Sequence, residues 1–403
     1  MKILIVCDHF YPEEFIINDL ASEWSNNGHI VNVLTPNPAY PKGKIYSGYM
    51  NRIFQATYWN KIKIHRVYTV QDFHKSLLRK MLNYLSFSLL GTIRIIGLAR
   101  QFDYLFIYQA GPLTQAIPAI IAHKLFRKKT AIWTGDLWPD TVYAYGFRKT
   151  KLLSFFLDNL VKVIYKNCNP ILIPSYGFQK ALQKYIPNRN FIFAPNWCPI
   201  QDKEISNQEF SLSERTNFTF AGNVGKVQNL ENVILGFQEA LIINSEMTLN
   251  IIGDGSFLAE LKNIAKQRNI AKVNFWGRQP FNEMDKYFNA SDFLVISLDP
   301  DPVYDLYIPF KFQTYLNAGK PILCVMGGEV AELVNKHAIG IVANPDNIED
   351  IARKFIQCAN LSPNECESIK MNSIRLLNET FDREKIIATI TNEMITVLEK
   401  SNQ

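Results

Sequence analysis

An α/β chain of two doubly wound parallel-sheet domains is what these 403 residues predict, on three observations. Apolar runs of strand length alternate with helix-period segments along the whole chain, the pattern of parallel sheets covered on both faces. The length far exceeds the ~150 residues of a typical domain, so more than one core is expected. A polar stretch over Cys198–Asn217, interrupted by Pro199, separates two series of strands.

The first series opens with Lys2–Cys7, followed by a helix from about Ile17 to Asn26, Gly28, and a strand at Ile30–Leu34. Strands are expected next at Lys63–Thr69, Tyr104–Tyr108, Thr130–Thr134, Ile171–Ile173 and Phe191–Phe193. The second series runs through Asn217–Ala221, Thr248–Ile252, Val273–Trp276, Phe293–Ser297, Pro321–Val325 and Gly340–Val342. Expected boundaries are 1–199 for the first domain, 200–216 for a linker, 217–381 for the second domain and 382–403 for a last helix. That helix carries Ile386, Ile387, Ile390, Met394 and Val397 at helical spacing, with the first domain as a candidate surface for it. In such folds ligands sit at the carboxyl ends of strands, here expected in a central cleft faced by both domains.

Composition narrows the class. Hydrophobic residues at 47% and charged residues at 20% exclude a disordered or fibrous chain. Six scattered cysteines with no C-x-x-C pair argue against a zinc ribbon or a disulfide framework and for a reducing compartment. Met1 leads straight into an apolar strand, so no cleavable signal is expected and a cytoplasmic location is. Residues 1–200 carry 24 Lys and Arg against 10 Asp and Glu, a net +14, whereas the remainder is net −8. An anionic partner for the first half follows, or else an unevenly charged solvated surface. The basic residues form no nucleic-acid motif, so an anionic membrane surface or phosphorylated lipid is the expected partner, and nucleic acid is not. Within this half, Leu77–Leu98 is almost continuously apolar and flanked by Lys75, Arg79, Lys80 and Arg100. Two readings stand level: a helix dipping into an anionic leaflet, or a helix packed on the first sheet.

The turn after the first strand, Cys7-Asp8-His9-Phe10-Tyr11-Pro12, has no glycine, which disfavours a dinucleotide fingerprint. No Walker A pattern is present. The second series does have glycine turns: Gly222-Asn223-Val224-Gly225-Lys226 before a helix near Leu230–Ala240, and Gly253-Asp254-Gly255 one unit later. Consecutive turns of this kind at strand ends favour a diphosphate site built from free N–H groups. A third element, Pro309 to Pro321, reads as a helix with Pro309 at its first position, Lys311 in its first turn and Gly319 at its end. A lysine there opposes the helix dipole and calls for an anion.

Strand–GNVG–helix, then GDG, then PxK…YxxAGKP resembles the nucleotide-sugar domain of retaining glycosyltransferases of family 4, with the GT-B architecture. In the first half, Tyr11-Pro12-Glu13 with Ile17-Asn18-Asp19, the Thr35–Tyr46 segment, Gly135–Asp140, Pro174–Gly177 and Pro195-Asn196-Trp197 resemble the WbuB-like branch. That resemblance implies transfer of a sugar, such as N-acetyl-L-fucosamine, from a UDP-sugar donor to a polyprenyl-diphosphate-linked acceptor in O-antigen or capsule assembly. The setting it implies is peripheral, on the cytoplasmic face of the inner membrane, with no cofactor and no metal.

The expected catalytic residues are Asp136, beside the position of the family's catalytic-region His, and Lys226 and Lys311, which stand at two glycine-bounded helix starts in place of the family's cation pair. Gly222, Asn223, Gly225, Gly253, Asp254, Gly277, Arg278, Asp305, Gln313 and Thr314 would bind the donor. Tyr11, Glu13, Asn18 and Asp19 would lie on the acceptor side. The sequence departs from the family where an Arg and a Lys usually stand, here Asn223 and Gln228. It departs again at the Glu-x7-Glu pair, which falls at Leu306, beside Asp305, and at Thr314. The frequent catalytic-region His falls at Gly135, next to Asp136. Two other classes stay open: a GT-B enzyme with a soluble acceptor or an epimerase, and a binding protein that has lost activity.

Overall fold

A computed structural model describes residues 1–144, 146–199, 210–213 and 215–400. Of the expected linker, residues 200–209 and 214 lie outside the described residues. The chain divides into two compact units, Met1–Pro195 with Glu384–Gln403, and Asn196–Arg383.

The first unit is built on β1 (Lys2–Cys7), β2 (Ile30–Pro36), β3 (Phe54–Trp59), β4 (Ile62–Val67), β5 (Tyr104–Gln109), β6 (Lys129–Thr134), β7 (Ile171–Ile173) and β8 (Phe191–Phe193). They pair in the order β3-β4-β2-β1-β5-β6-β7-β8, all parallel except β3, which runs antiparallel to β4. Residues Ile3–Cys7 are wholly buried, as a central parallel strand with helices on both faces requires. Strand β3 is the one element of this sheet that the apolar runs do not announce. It lies at the sheet edge with alternating half-buried and exposed side chains, so no continuous apolar run marks it.

The second unit holds β9 (Thr216–Ala221), β10 (Met247–Ile252), β11 (Val273–Gly277), β12 (Phe293–Ser297), β13 (Ile322–Val325) and β14 (Gly340–Val342). Their order is β11-β10-β9-β12-β13-β14, parallel throughout. Both units are therefore Rossmann-like α/β domains. The helix Arg383–Glu399 belongs almost entirely to the first unit, where Ile386, Ile387, Ile390 and Met394 are buried and Trp24 Nε1 donates to Thr391 Oγ1 at 2.8 Å.

The segment Leu77–Ile96 is a 20-residue helix that buries only Phe87, Ser88, Gly91 and Ile95. Its opposite face leaves Leu78, Leu85, Leu89 and Ile93 more than half exposed. A second helix, Lys151–Lys166, exposes Leu152, Phe155 and Phe156 in the same way. Among the described residues no helix is long and apolar enough to cross a membrane.

In the second unit the helix Leu230–Ile243 packs closely on Ile348–Ala359. A methyl group on Gly236 would come within 2.5 Å of Ile351 Cγ2. Alanine is favoured over glycine within a helix by about 1 kcal/mol, but overpacking costs about 1–3 kcal/mol. Gly236→Ala is expected to lower the urea midpoint of unfolding; a raised midpoint would mean that the two helices part freely.

Candidate functional site

In the second unit three loops at the carboxyl ends of β9, β10 and β11 are tied by backbone. Gly222 N–H donates to Ile252 O at 2.9 Å, Gly253 N–H to Gly277 O at 2.8 Å, and Val224 N–H to Asp254 O at 2.9 Å. Gly253 has φ +145°, and a Cβ there would lie 1.8 Å from Gly222 O, so only glycine lets these loops meet. This lacing brings Gly222, Asn223, Gly225, Gly253, Asp254 and Gly277 into one cluster. Gly225 leads into a 3₁₀ turn, Lys226–Gln228, and the helix starts only at Leu230. The helix expected near Leu230 thus starts at that residue, after Asn229 in the left-handed conformation.

The helix expected to start at Pro309 begins instead at Lys311 and ends at Gly319, φ +65°. Pro309 precedes it and accepts the Phe312 N–H through its carbonyl at 2.9 Å. Lys311 Nζ lies 3.8 Å from the Phe220 ring centroid and donates to Gln228 Oε1 at 2.6 Å. A Cβ at Gly222 would sit 3.3 Å from that Nζ, so the glycine leaves the ammonium room beside the loop. Burial lowers the Lys311 pKa to about 7. Lys226 and Arg278 are exposed.

Other expected donor residues divide. Gln313 is fully buried. Thr314 lies close enough to Cys198 to lower its thiol pKa, but burial outweighs this and pushes the thiol up to about 11. Asp305 packs against the Gly327-Gly328 turn, where a Cβ on Gly327 would meet its Oδ1 at 2.6 Å. Burial, then the nearby Asp301, raises its carboxyl pKa.

The first unit has a cavity of about 490 Å³ at the carboxyl ends of its strands. Its polar end holds Asp8, His9, Glu13, Lys80 and Asp136; its apolar wall includes Met81, Leu85, Leu153 and Leu157. Of the four expected acceptor-side residues, only Glu13 lines it. Asn18 braces the turn instead, accepting from Tyr11 N–H and donating to Glu13 O at 2.7 Å. Tyr11 stacks on Trp59, with ring centroids 5.0 Å apart. Asp19 sits in the first turn of the helix Ile16–Asn26.

The cavity's most organised group is built around Glu13, one of the expected acceptor-side residues. Glu13 is buried; its Oε1 accepts the Ala39 and Tyr40 N–H groups at 2.8 and 2.7 Å, and its Oε2 pairs with His9 Nδ1 at 3.0 Å. The His9 ring stacks on Phe15 at 4.7 Å, and its Nε2 lies 3.5 Å from Asp8 Oδ2. Burial alone would lower the His9 pKa, but the Asp8 and Glu13 carboxylates together outweigh it and raise it. Burial raises that of Asp8. The only sequence signal was an Asp-His pair at a strand end with a Glu four residues on.

His9 therefore titrates above its unfolded value, so its contribution to stability is complete below pH ~6.5 and fades as pH rises through the folded value. Glu13→Gln should move the His9 midpoint down by an NMR titration of labelled histidine. An unmoved midpoint would assign the shift to Asp8 alone.

Residues 201–375 match the family described as glycosyl transferases group 1. WbjE of Pseudomonas aeruginosa, named as a glycosyltransferase, is 25% identical over 237 residues, which cover 56% of this chain and 58% of that protein. WcaI of Escherichia coli, named as a colanic acid biosynthesis glycosyl transferase, is 23% identical over 98% of this chain and all of its own. Among solved structures, Anabaena HepE in complex with UDP and glucose covers 98% of this chain and 100% of its own, with TM-score 0.68 and 14% identity. Sucrose-phosphate synthase from Thermosynechococcus elongatus covers 99% of this chain and 100% of its own, with TM-score 0.73 and 11% identity. The likeness to these structures is one of fold. The chain is accordingly a transferase of the GT-B architecture, and its residues 201–375 are similar to the glycosyl transferases group 1 family.

Proposed function

We propose that the chain moves a sugar, with retention, from a UDP-sugar to a polyprenyl-diphosphate-linked glycan during assembly of a surface polysaccharide. The observation that carries this reading is the Lys311 ammonium, held beside the glycine cluster in a turned-in position with Gln228 as its hydrogen-bond partner. Preorganised cations and N–H groups supply most of the stabilisation a departing diphosphate needs. Lys311, Lys226 and the backbone of residues 222–226 would supply them here, without a metal. The retaining family 4 assignment, the WbuB-like branch and an amino or deoxy sugar such as N-acetyl-L-fucosamine rest on the sequence resemblance. WcaI's name and the UDP bound to HepE support the polysaccharide setting and the nucleotide.

On the acceptor side, Asp136 would orient the hydroxyl that attacks, at the polar end of the first unit's cavity. The apolar wall of that cavity is continuous with the exposed helix faces, since Met81 and Leu85 belong to one helix and Leu153 and Leu157 to the other. A lipid-linked acceptor in an anionic leaflet matches both the apolar faces and the net +14 of residues 1–200. The enzyme would then work as a peripheral protein on the cytoplasmic face of the inner membrane.

Thermal shift with UDP, GDP, dTDP and UDP-sugars tests the donor. A ligand at ~100 times Kd adds about 2.7 kcal/mol of stability, and UDP is expected to give the largest shift. Lys311→Ala should cost roughly 2–4 kcal/mol in kcat/KM for donor. Normal donor use by this variant would remove the lysine from the diphosphate site.

Vesicle co-sedimentation tests the acceptor surface. Burying each of Leu89, Phe155 and Phe156 is worth about 1.5–3 kcal/mol, so replacing all three with Ser should weaken binding to phosphatidylglycerol vesicles by roughly a thousandfold or more. Equal sedimentation of variant and wild type would exclude these faces.

A further inference from the structure

We propose that Gln228 is the positioning residue of the donor site, and that a nucleoside diphosphate binds there with uptake of one proton by Lys311. This rests on the donor reading above and extends it to a coupling that neither the fold nor the relatives specify.

The geometry is specific. Gln228 closes the 3₁₀ turn after the glycine loop, its N–H donating to Gly225 O at 3.0 Å and its carbonyl accepting Ser297 Oγ–H at 2.6 Å. Its backbone is therefore pinned from both sides, and its side-chain oxygen is the hydrogen-bond acceptor for Lys311 Nζ. Below the amine lies the Phe220 ring, and beside it the bare backbone of Gly222. The Tyr315 hydroxyl nearby is engaged by the Ala221 N–H at 2.9 Å.

Among the described residues no charged side chain offsets the Lys311 ammonium; burial is the one influence on it. Lys226 is exposed and acts on Asp299, while Asp254 turns its Oδ1 to the Gly255 N–H at 2.8 Å. The neutral amide oxygen of Gln228 accepts from an amine as from an ammonium, so it holds Lys311 in place without the carboxylate that would keep it charged. An arriving diphosphate does demand it, because an anion within a few ångströms favours the protonated form. Binding then draws a proton from solvent whenever the pH exceeds the free-site value of about 7. A glutamate in place of Gln228 would keep the lysine charged and occupied; an apolar residue would let it swing to water.

The test is isothermal titration of the full chain with UDP, and in parallel GDP and dTDP, between pH 7.5 and 8.5. Above pH 7.5 the free nucleotide's own phosphate, with a second pKa of about 6, is ionised and contributes little. Running each titration in HEPES and in Tris, whose ionisation heats differ, counts the protons taken up. Wild type should take up close to one proton per UDP at pH 8.5, with Kd rising about tenfold across this unit of pH. Lys311→Met should bind weakly, with no uptake and a flat profile. Gln228→Leu should lose most of the uptake, and Gln228→Glu should lose it while keeping a folded protein.

Tight UDP binding by wild type without proton uptake, or an unchanged profile in Gln228→Leu, would overturn the proposal while leaving the donor reading intact. Failure of all three nucleotides to bind would overturn both.

Discussion

Parallel strand pairing is the constraint on which everything else rests. Parallel neighbours need a crossover between them, so successive strands point the same way and their carboxyl ends gather on one side of the sheet. In the first unit that rule assembles Asp8 after β1, Gly111 after β5 and Asp136 after β6 at one cavity. In the second it gathers the loops after β9, β10 and β11 so tightly that Gly253 and Gly222 touch backbone to backbone. The lone antiparallel strand, β3, sits at an edge and leaves this convergence undisturbed.

The two clusters solve different electrostatic problems. In the first unit three titratable groups constrain one another: a histidine held between two carboxylates, with one carboxylate further fixed by two backbone N–H groups. Such a group is rigid before any ligand arrives. In the second, a single buried lysine amine stands without a counter-charge among the described residues, supported by an amide and an aromatic ring. Leaving one charge unmatched costs stability, and a fold that retains it does so where a ligand completes the pair.

The architecture was legible because its signal is additive: apolar runs such as Ile3–Cys7 and Tyr104–Tyr108 are too short for helices and recur between helix-period segments, which marks them as buried parallel strands. The glycine turns were legible as a cluster because only glycine tolerates so close an approach. Helix starts were less so, since Pro309 fits a first helical position yet the chain delays the helix to Lys311. The partner of Lys311 was invisible, because Gln228 lies 83 residues away and a lysine at a helix start is ordinarily solvated. Glu13 carried a motif but not its purpose; its bonds to Ala39 and Tyr40 come from a loop 26 residues on.

The first unit is not one continuous stretch of chain. Its last helix, Arg383–Glu399, arrives only after the whole of the second unit has been made, and it delivers Thr391 to Trp24. At a ribosomal pace of about 5–20 residues per second, roughly ten to forty seconds separate Pro195 from Glu384. During that interval the nascent first domain carries an uncovered apolar strip where Ile386, Ile387, Ile390 and Met394 will later dock. The second domain must then fold as an insert between two halves of its neighbour, so the first to be synthesised is the last to be finished.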